Sequence, residues 1–353
     1  MLRCALPTPR RIAHVTRSGR AAAGVVSTLV LATALAGCGS AGSDADTLTV
    51  YSAQHESLVR TMLEDFTEET GIELEFRDAN DSELANQIIE EGEASPADVF
   101  LTENSPAIGV LDREGLLAPL EQSTLDQVGE AYRPSSGNWV GFAARSTALI
   151  YNPSEIPEEE LPASMLDLAD PAWEGRVAIA AGGADFQAIV SAVLALEGED
   201  ATREWLAGLQ RNAEIYASNT AIMKAVDEGE VPVGITYHYY WFRDQAENGL
   251  IGDDARLHYF GNQDPGAFVS VSGAGVLASS DKKEQAQRLV AYLTAAKAQE
   301  QLAGSKALEY AVGTGTASAS DLPPLEELGA PVVDPGGLDA PKVTELMQEA
   351  GLL

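Results

Sequence analysis

The sequence predicts an α/β protein of two domains. Strand-like and helix-like runs alternate from Thr47 onward in β-α-β-α-β-α order, which argues a mostly parallel sheet. The chain beyond residue 37 is roughly 315 residues, more than one hydrophobic core usually organises. Its hydrophobic content of 45% is that of a globular protein, in spite of a formal net charge of −32.

The first residues stand apart. Arg3, Arg10, Arg11, Arg17 and Arg20 fall in a stretch with no acid, and the apolar run Ala21 to Ala36 follows. A basic start, a short apolar run and small residues at its end describe a secretory signal over residues 1–37. The ending Leu35-Ala36-Gly37-Cys38 resembles a bacterial lipobox, which implies cleavage before Cys38 and a lipid on its sulfur. The run is too short and too Gly-interrupted for a transmembrane helix. Ala13-His14 stands where a twin-Arg export signal carries an apolar pair, so that reading is weak. Residues 38–46 are a small, polar tether. Cys4 and Cys38 are the only cysteines, so the body of the protein holds no disulfide, thiolate zinc site or Cys nucleophile. The acidic surface repels nucleic acid and anionic lipid headgroups.

The body then reads element by element. Thr47 to Tyr51 is a strand. Glu56 to Thr70 is a helix with Leu58, Met62, Leu63 and Phe66 at helical spacing, stopped by Gly71. Ile72 to Phe76 is a strand, Ser82 to Gly92 a helix, Asp98 to Leu101 a strand and Ser105 to Glu114 a helix. Ligands of such sheets bind beyond the carboxyl ends of the strands. His55 follows the first strand and Glu103 the third, so both sit on that edge. Phe142 to Tyr151 is a strand able to cross between domains. Val177 to Ala181 is a strand that runs into Gly182-Gly183-Ala184-Asp185, and Phe186 to Leu196 is an apolar helix. A Gly-rich turn opening a helix presents free N–H groups that suit an anion. Helices are expected at Thr202 to Arg211 and Asn219 to Glu228, and a buried strand at Val231 to Ile235. Val269 to Leu277 is a candidate return strand. Helices follow at Lys283 to Ala295 and Ala298 to Gly304. Pro323 to Pro341 is a Pro-rich linker, and Lys342 to Ala350 a last helix. The domain division expected is 47–145 plus 270–320, and 146–269 plus 321–353.

The densest chemistry lies in Tyr237-His238-Tyr239-Tyr240. On a continuing strand, Tyr239 and Tyr240 would face opposite ways. If the backbone bends at the strand end, both phenols can meet at one point in a cleft. Phenolate is a hard anionic ligand, suited to a highly charged cation such as ferric iron. The alternative is an aromatic corner of the core with its hydroxyls satisfied by backbone.

Taken in order, Val50-Tyr-Ser-Ala-Gln-His55, Ser95-Pro-Ala-Asp-Val-Phe100, Thr102-Glu-Asn-Ser-Pro-Ala107, Tyr239-Tyr-Trp241 and Val271-Ser-Gly-Ala-Gly-Val276 carry a likeness. The chain resembles bacterial ferric iron-binding proteins of ABC import systems, over Leu48 to Leu353. The resemblance implies a two-domain periplasmic binding protein fold with a hinge and an interdomain cleft. It implies a monomeric, lipid-anchored binding protein outside the cytoplasmic membrane, not an enzyme. Such a protein captures Fe(3+) and hands it to a membrane permease driven by a separate ATPase. The family's iron ligands carry over to His55, Glu103, Tyr239 and Tyr240.

One carboxylate, two phenolates and a neutral imidazole suit a 3+ ion. Phenol titrates at about 10 and imidazole at about 6.5, so iron binding should release protons and fail below about pH 6. The family often adds a small anion, phosphate or carbonate. The matching positions here are Gly183, Ala184, Asp185 and Asn219, with Arg145 where some members place an anion-binding arginine. Asp185 departs from the pattern, because a desolvated carboxylate repels phosphate by several kcal/mol. It is expected to point outward as a helix cap; the alternatives are that it replaces the anion or that the site is open to water. His238 is expected behind the ligands or on the surface, the alternative being that it is itself a ligand.

No Gly-x-x-x-x-Gly-Lys-Ser/Thr loop for ATP is present. One rival reading keeps the fold but binds an oxyanion, a polyamine or a thiamine-like molecule. Another is a hydrolase built on His55, Glu103 and Asp185, for which no Gly-x-Ser-x-Gly nucleophile motif exists. A structural cell-wall protein would show repeats, and none is visible.

Overall fold

The computed structural model describes residues 47–353 except 248, 250–253, 307 and 320. The signal segment, Cys38 and the tether lie outside the described residues.

The strands are β1 (Thr47–Ser52), β2 (Glu73–Asp78), β3 (Val99–Leu101), β4 (Trp139–Tyr151), β5 (Val177–Ile179), β6 (Ala213–Ile215), β7 (Val233–Tyr237), β8 (Arg256–His258) and β9 (Val269–Val276). The helices are α1 (Glu56–Thr70), α2 (Asp81–Glu91), α3 (Ser105–Arg113), α4 (Gln122–Leu125), α5 (Ala184–Glu197), α6 (Glu199–Asn212), α7 (Asn219–Asp227), α8 (His238–Glu247), α9 (Lys283–Thr294), α10 (Ala296–Ala303) and α11 (Ala340–Glu349). The strands order as β2-β1-β3-β9-β4-β7-β5-β6, with β8 also on β4.

Strand β4 joins the two halves of this sheet. Its thirteen residues are all buried. Residues 139–146 pair antiparallel with β9, and 147–151 pair antiparallel with β7. On the near side, β1 is parallel to both β2 and β3. On the far side, β5 is parallel to β6 and β7. Each half has its own core. Leu58, Met62 and Phe66 of α1 pack with Val50, Val99 and Val276 in one, while Ile179, Ile189, Val193, Leu206 and Val233 pack in the other.

Local chemistry explains the helix boundaries. Gly71 ends α1 at φ 72, a left-handed conformation in which a Cβ is strained, and its N–H caps the Thr67 carbonyl. Asn80 starts α2 by accepting the Glu83 N–H through its side chain.

The structure departs from the sequence reading in a few places. Strand β7 extends to Tyr237, and helix α8 begins at the next residue. Strands β6 and β8 have three residues each, too short for a recognisable alternation. The Pro-rich stretch is pinned rather than loose. Leu322 and Leu328 enter the first core and Leu338 the second, with short 3₁₀ turns at Leu325–Glu327 and Pro335–Gly337.

Close packing is tight where β9 passes beneath the loop after β3. A Cβ on Gly273 would stand 2.8 Å from Ile108 Cγ2, 3.0 Å from Thr102 Oγ1 and 3.2 Å from Trp139 Cε3. Gly273→Ala is therefore expected to cost about 1–3 kcal/mol of stability, read as a lower urea midpoint at unchanged slope.

Candidate metal centre

The ends of several strands deliver helix N-termini to one place. His55 is the cap residue of α1, but its side chain makes no cap hydrogen bond. Its ring is left to point across the cleft. Glu103 lies in the turn between β3 and α3. Asp185 is the second residue of α5, Asn219 the first of α7, and Tyr239 and Tyr240 lie in the first turn of α8. Backbone N–H groups and the dipole at each of these ends favour negative charge.

The predicted donors meet. Tyr239 Oη donates to Glu103 Oε1 at 2.9 Å, and His55 Nε2 lies 3.0 Å from both the Tyr239 hydroxyl and Glu103 Oε1. The Tyr239 and Tyr240 rings have centroids 4.2 Å apart. The start of α8 supplies the bend that both phenols need, because neighbouring residues of a helical turn diverge by about 100° rather than 180°. Among the described residues no three His, Cys, Asp or Glu side chains are grouped to hold a metal ion; phenols are half of the predicted donor set. Surface grooves of about 470 and 670 Å³ lie elsewhere, and none of these four donors lines either.

Asp185 corrects the sequence reading. It does not point outward as a cap. It is 5% exposed and faces inward, accepting from Asn104 Nδ2 at 2.9 Å and from Asn219 Nδ2 at 2.8 Å. It also interacts with the Tyr240 hydroxyl. Gly183 holds the cap position of α5 with no side-chain cap, and Ala184 opens the helix. The turn that the sequence suggested for an anion thus carries its own carboxylate.

Arg145 is likewise committed to protein groups. It is fully buried on β4, with Nη1 donating to the Glu103 carbonyl at 2.6 Å. Its Nη2 donates to Ser272 Oγ at 2.6 Å and Glu309 Oε2 at 2.8 Å. The guanidinium also lies over the Tyr239 ring, 5.2 Å from its centroid. His238 is neither on the surface nor among the donors. It is buried, with Nδ1 accepting the Ser146 N–H at 3.1 Å and Nε2 2.9 Å from the Leu308 carbonyl. Tyr237 is buried too, its hydroxyl 3.4 Å from the Asp185 carbonyl.

The electrostatics are strongly polarised. Burial opposes the charge on Glu103, but the His55 hydrogen bond and the Arg145 guanidinium outweigh it and hold the carboxyl below its usual range. Burial and the Glu103 charge push Asp185 upward. Burial, then the charges of Asp185 and Glu103, push both Tyr239 and Tyr240 well above the ordinary phenol value. Such phenols give up their protons only when a cation arrives to replace them.

Sequence reasoning missed several residues. Asn104 reads as an ordinary helix cap, yet its side chain holds Asp185 and accepts from Ser270 Oγ at 2.7 Å. Ser272, Glu309 and Asp81 carry no local signal, because only the fold brings them near. Arg243 lies over the Tyr239 and Tyr240 rings at 5.5 and 5.0 Å, and its i+4 and i+3 spacing on α8 was the available hint.

Comparison with known proteins places this arrangement. The sequence profile of the family described as bacterial extracellular solute-binding protein matches residues 94–333. The chain belongs to this family. It is 51% identical over 330 residues to the Fe(3+)-binding periplasmic protein of Serratia marcescens, covering 94% of this chain and 98% of that protein. It is 35% identical over 308 residues to the major ferric iron-binding protein of Neisseria meningitidis serogroup B, covering 86% and 93%. The crystal structure of iron-bound HitA from Pseudomonas aeruginosa aligns with a TM-score of 0.81 at 40% identity, covering 86% of this chain and 99% of that one. The fold is that of the two-domain periplasmic binding proteins, as the sequence predicted. The Serratia and Neisseria relatives are described as ferric iron-binding proteins, the former as periplasmic.

The buried His238 gives a measurable pH signature. Burial lowers it to about 4 from the ordinary 6.5. Between those values the unfolded chain holds a proton that the folded chain does not, so stability rises with pH across the window. The contribution is complete above 6.5 and is lost as pH falls to about 4, amounting to at most roughly 3 kcal/mol. Asp185, shifted upward, works in the opposite direction, so the difference between wild type and a variant is the clean measurement. In urea unfolding of the iron-free protein from pH 7 to 4, His238→Gln should lose less stability than wild type.

Proposed function

We propose that this protein captures ferric iron outside the cytoplasmic membrane and delivers it to an ABC permease powered by a separate ATPase. The observation that carries the reading is the convergence of His55, Glu103, Tyr239 and Tyr240 on one point ringed by helix N-termini. His55 and Glu103 come from the half built on β1 and β3, the tyrosines from the half built on β7. An ion held by all four ties the halves together, so domain closure and binding are one event. The domain division taken is 47–145 plus 270–320 and 146–269 plus 321–353, with residues 322–328 anchored on the first core. Strands β4 and β9 form the crossing segments on which the halves move.

Asp185 supplies the anionic oxygen that an external phosphate or carbonate would otherwise bring. Its place beside Tyr240, between Asn104 and Asn219, supports this role. Gly183, Ala184, Asn219 and Arg145 then shape and brace the site instead of holding a free anion. Two phenolates and two carboxylates around a 3+ ion leave one excess negative charge, which the helix ends and Arg145 offset. The Cys38 lipid keeps the protein at the membrane surface, and the chain acts as a monomeric carrier with no catalytic step.

Two experiments check this. Titration of the purified domain with ferric citrate should develop a visible tyrosinate-to-iron charge-transfer band that saturates at one equivalent, and Tyr239→Phe/Tyr240→Phe should abolish it. A wild-type protein that stays colourless, with or without phosphate or carbonate, refutes the iron reading. In the second, wild type should bind equally well in anion-free buffer and in buffer with phosphate. Asp185→Ala should bind at least about tenfold more weakly and recover partly when phosphate or carbonate is added.

A further inference from the structure

The turn that carries Glu103 is held from outside its own helix. Asp81, the first residue of α2, is 4% exposed and does not serve its own helix, whose cap is Asn80. Its carboxylate turns toward the next loop. Oδ1 accepts the Glu103 N–H at 2.9 Å, and Oδ2 accepts the Asn104 N–H at 3.0 Å. On the other side of the same residue, the Glu103 carbonyl accepts from Arg145 Nη1 at 2.6 Å and Ser272 Oγ at 3.0 Å. The Glu103 peptide groups are therefore clamped at both ends, and the side-chain torsions are the freedom left.

Asn104 shows what this arrangement achieves. It occupies the cap position of α3, where an asparagine side chain ordinarily accepts an N–H of the first turn. Here it makes no cap hydrogen bond; it donates to Asp185 and accepts from Ser270. Asp81 secures the turn in its place and frees Asn104 to reach the opposite side of the cleft. Burying a carboxylate is costly unless hydrogen bonds and nearby positive potential compensate it. Two N–H donors at the head of α3 offset part of that cost here, while burial and the nearby Glu103 charge still hold the Asp81 carboxyl well above its ordinary value.

We propose that Asp81 is a positioning residue for metal capture, setting Glu103 directly and Asp185 through Asn104. The inference rests on the iron reading, and the metal it positions these groups for is the ferric ion. Residues that orient metal ligands typically change affinity by about 10–100-fold when altered. Asp81→Asn keeps the volume but sets an NH₂ group against one of the two N–H donors.

The test is ferric affinity by competition with citrate, in a double-mutant cycle with Glu103→Gln. Asp81→Asn alone should weaken binding by about 10-fold or more, with the tyrosinate band kept but its maximum shifted. In the Glu103→Gln background the same change should cost only about 3-fold or less, because the carboxylate it sets directly is gone and only its effect on Asp185 through Asn104 remains. Unchanged affinity in the single variant overturns the proposal. So does an equal loss in both backgrounds, which would mark a merely structural residue. Should Asp81→Asn fail to fold, amide hydrogen exchange on the iron-free wild type decides: the Glu103 and Asn104 amides should be strongly protected, and loop-like exchange there overturns the proposal. A colourless wild type with those amides protected sinks the iron reading, and with it the metal role, while leaving the clamp itself standing.

Discussion

The structure depends on one constraint: the strands of the two half-sheets run in opposite senses, so their carboxyl ends, and the helices that begin there, face each other across the middle of β4. β1 leads to α1, β3 to α3, β5 to α5 and β7 to α8, with α7 following β6. Each turn exposes unpaired N–H groups and the positive end of a helix. A single end is worth about 0.3–1 kcal/mol to an exposed charge and up to about 2 kcal/mol to a partly buried one. Together they make the space between the facing ends a place where Glu103, Asp185, Tyr239 and Tyr240 can share a small volume. The sheet can place them there because β4 is long enough to pair with β9 by its first half and with β7 by its second.

That placement is expensive in the absence of a cation, and the surrounding contacts show how the expense is spread. Arg145 lies fully buried beside Glu309 and contacts Glu103, so a positive charge is built into the floor of the site. A buried ion pair of this kind adds little net stability by itself. Its value is directional: it holds the Glu103 carbonyl and faces the Tyr239 ring. Asp185 is raised by burial while Glu103 is lowered by its partners. The two carboxylates thus differ in readiness for a cation, although both line the same cleft. The phenols are held well above their ordinary value, so losing their protons is coupled to the arrival of a cation.

Much of the site was legible in the sequence because its donors are chemically loud and lie at predictable places. His55 follows a strand, Glu103 follows another, and adjacent tyrosines close a third. The residues that brace them were not legible. Asp81, Ser272 and Glu309 are common residue types, distant in sequence from the donors they serve, and ordinary in their local context. Asp185 was legible as a departure from the family pattern but not in its orientation. A carboxylate at the start of a helix is far more often an exposed charge near the dipole than a buried one, and only the packing of Asn104 and Asn219 against it turns it inward.

The sequence by itself determined the α/β alternation and most of the helices, and through the family resemblance it named the candidate donors. The first two follow from side-chain periodicity and from stop signals such as Gly71, which are local. The tertiary structure alone decided whether those donors meet and what stands behind them. It bent the chain into a helix at His238, so that the Tyr239 and Tyr240 rings lie side by side. It also buried His238 away from the cleft and brought Asp81 against the Glu103 turn. Those outcomes depend on contacts between segments far apart in the chain, whose geometry is set by how the two halves of the sheet pack and not by any residue's immediate neighbours.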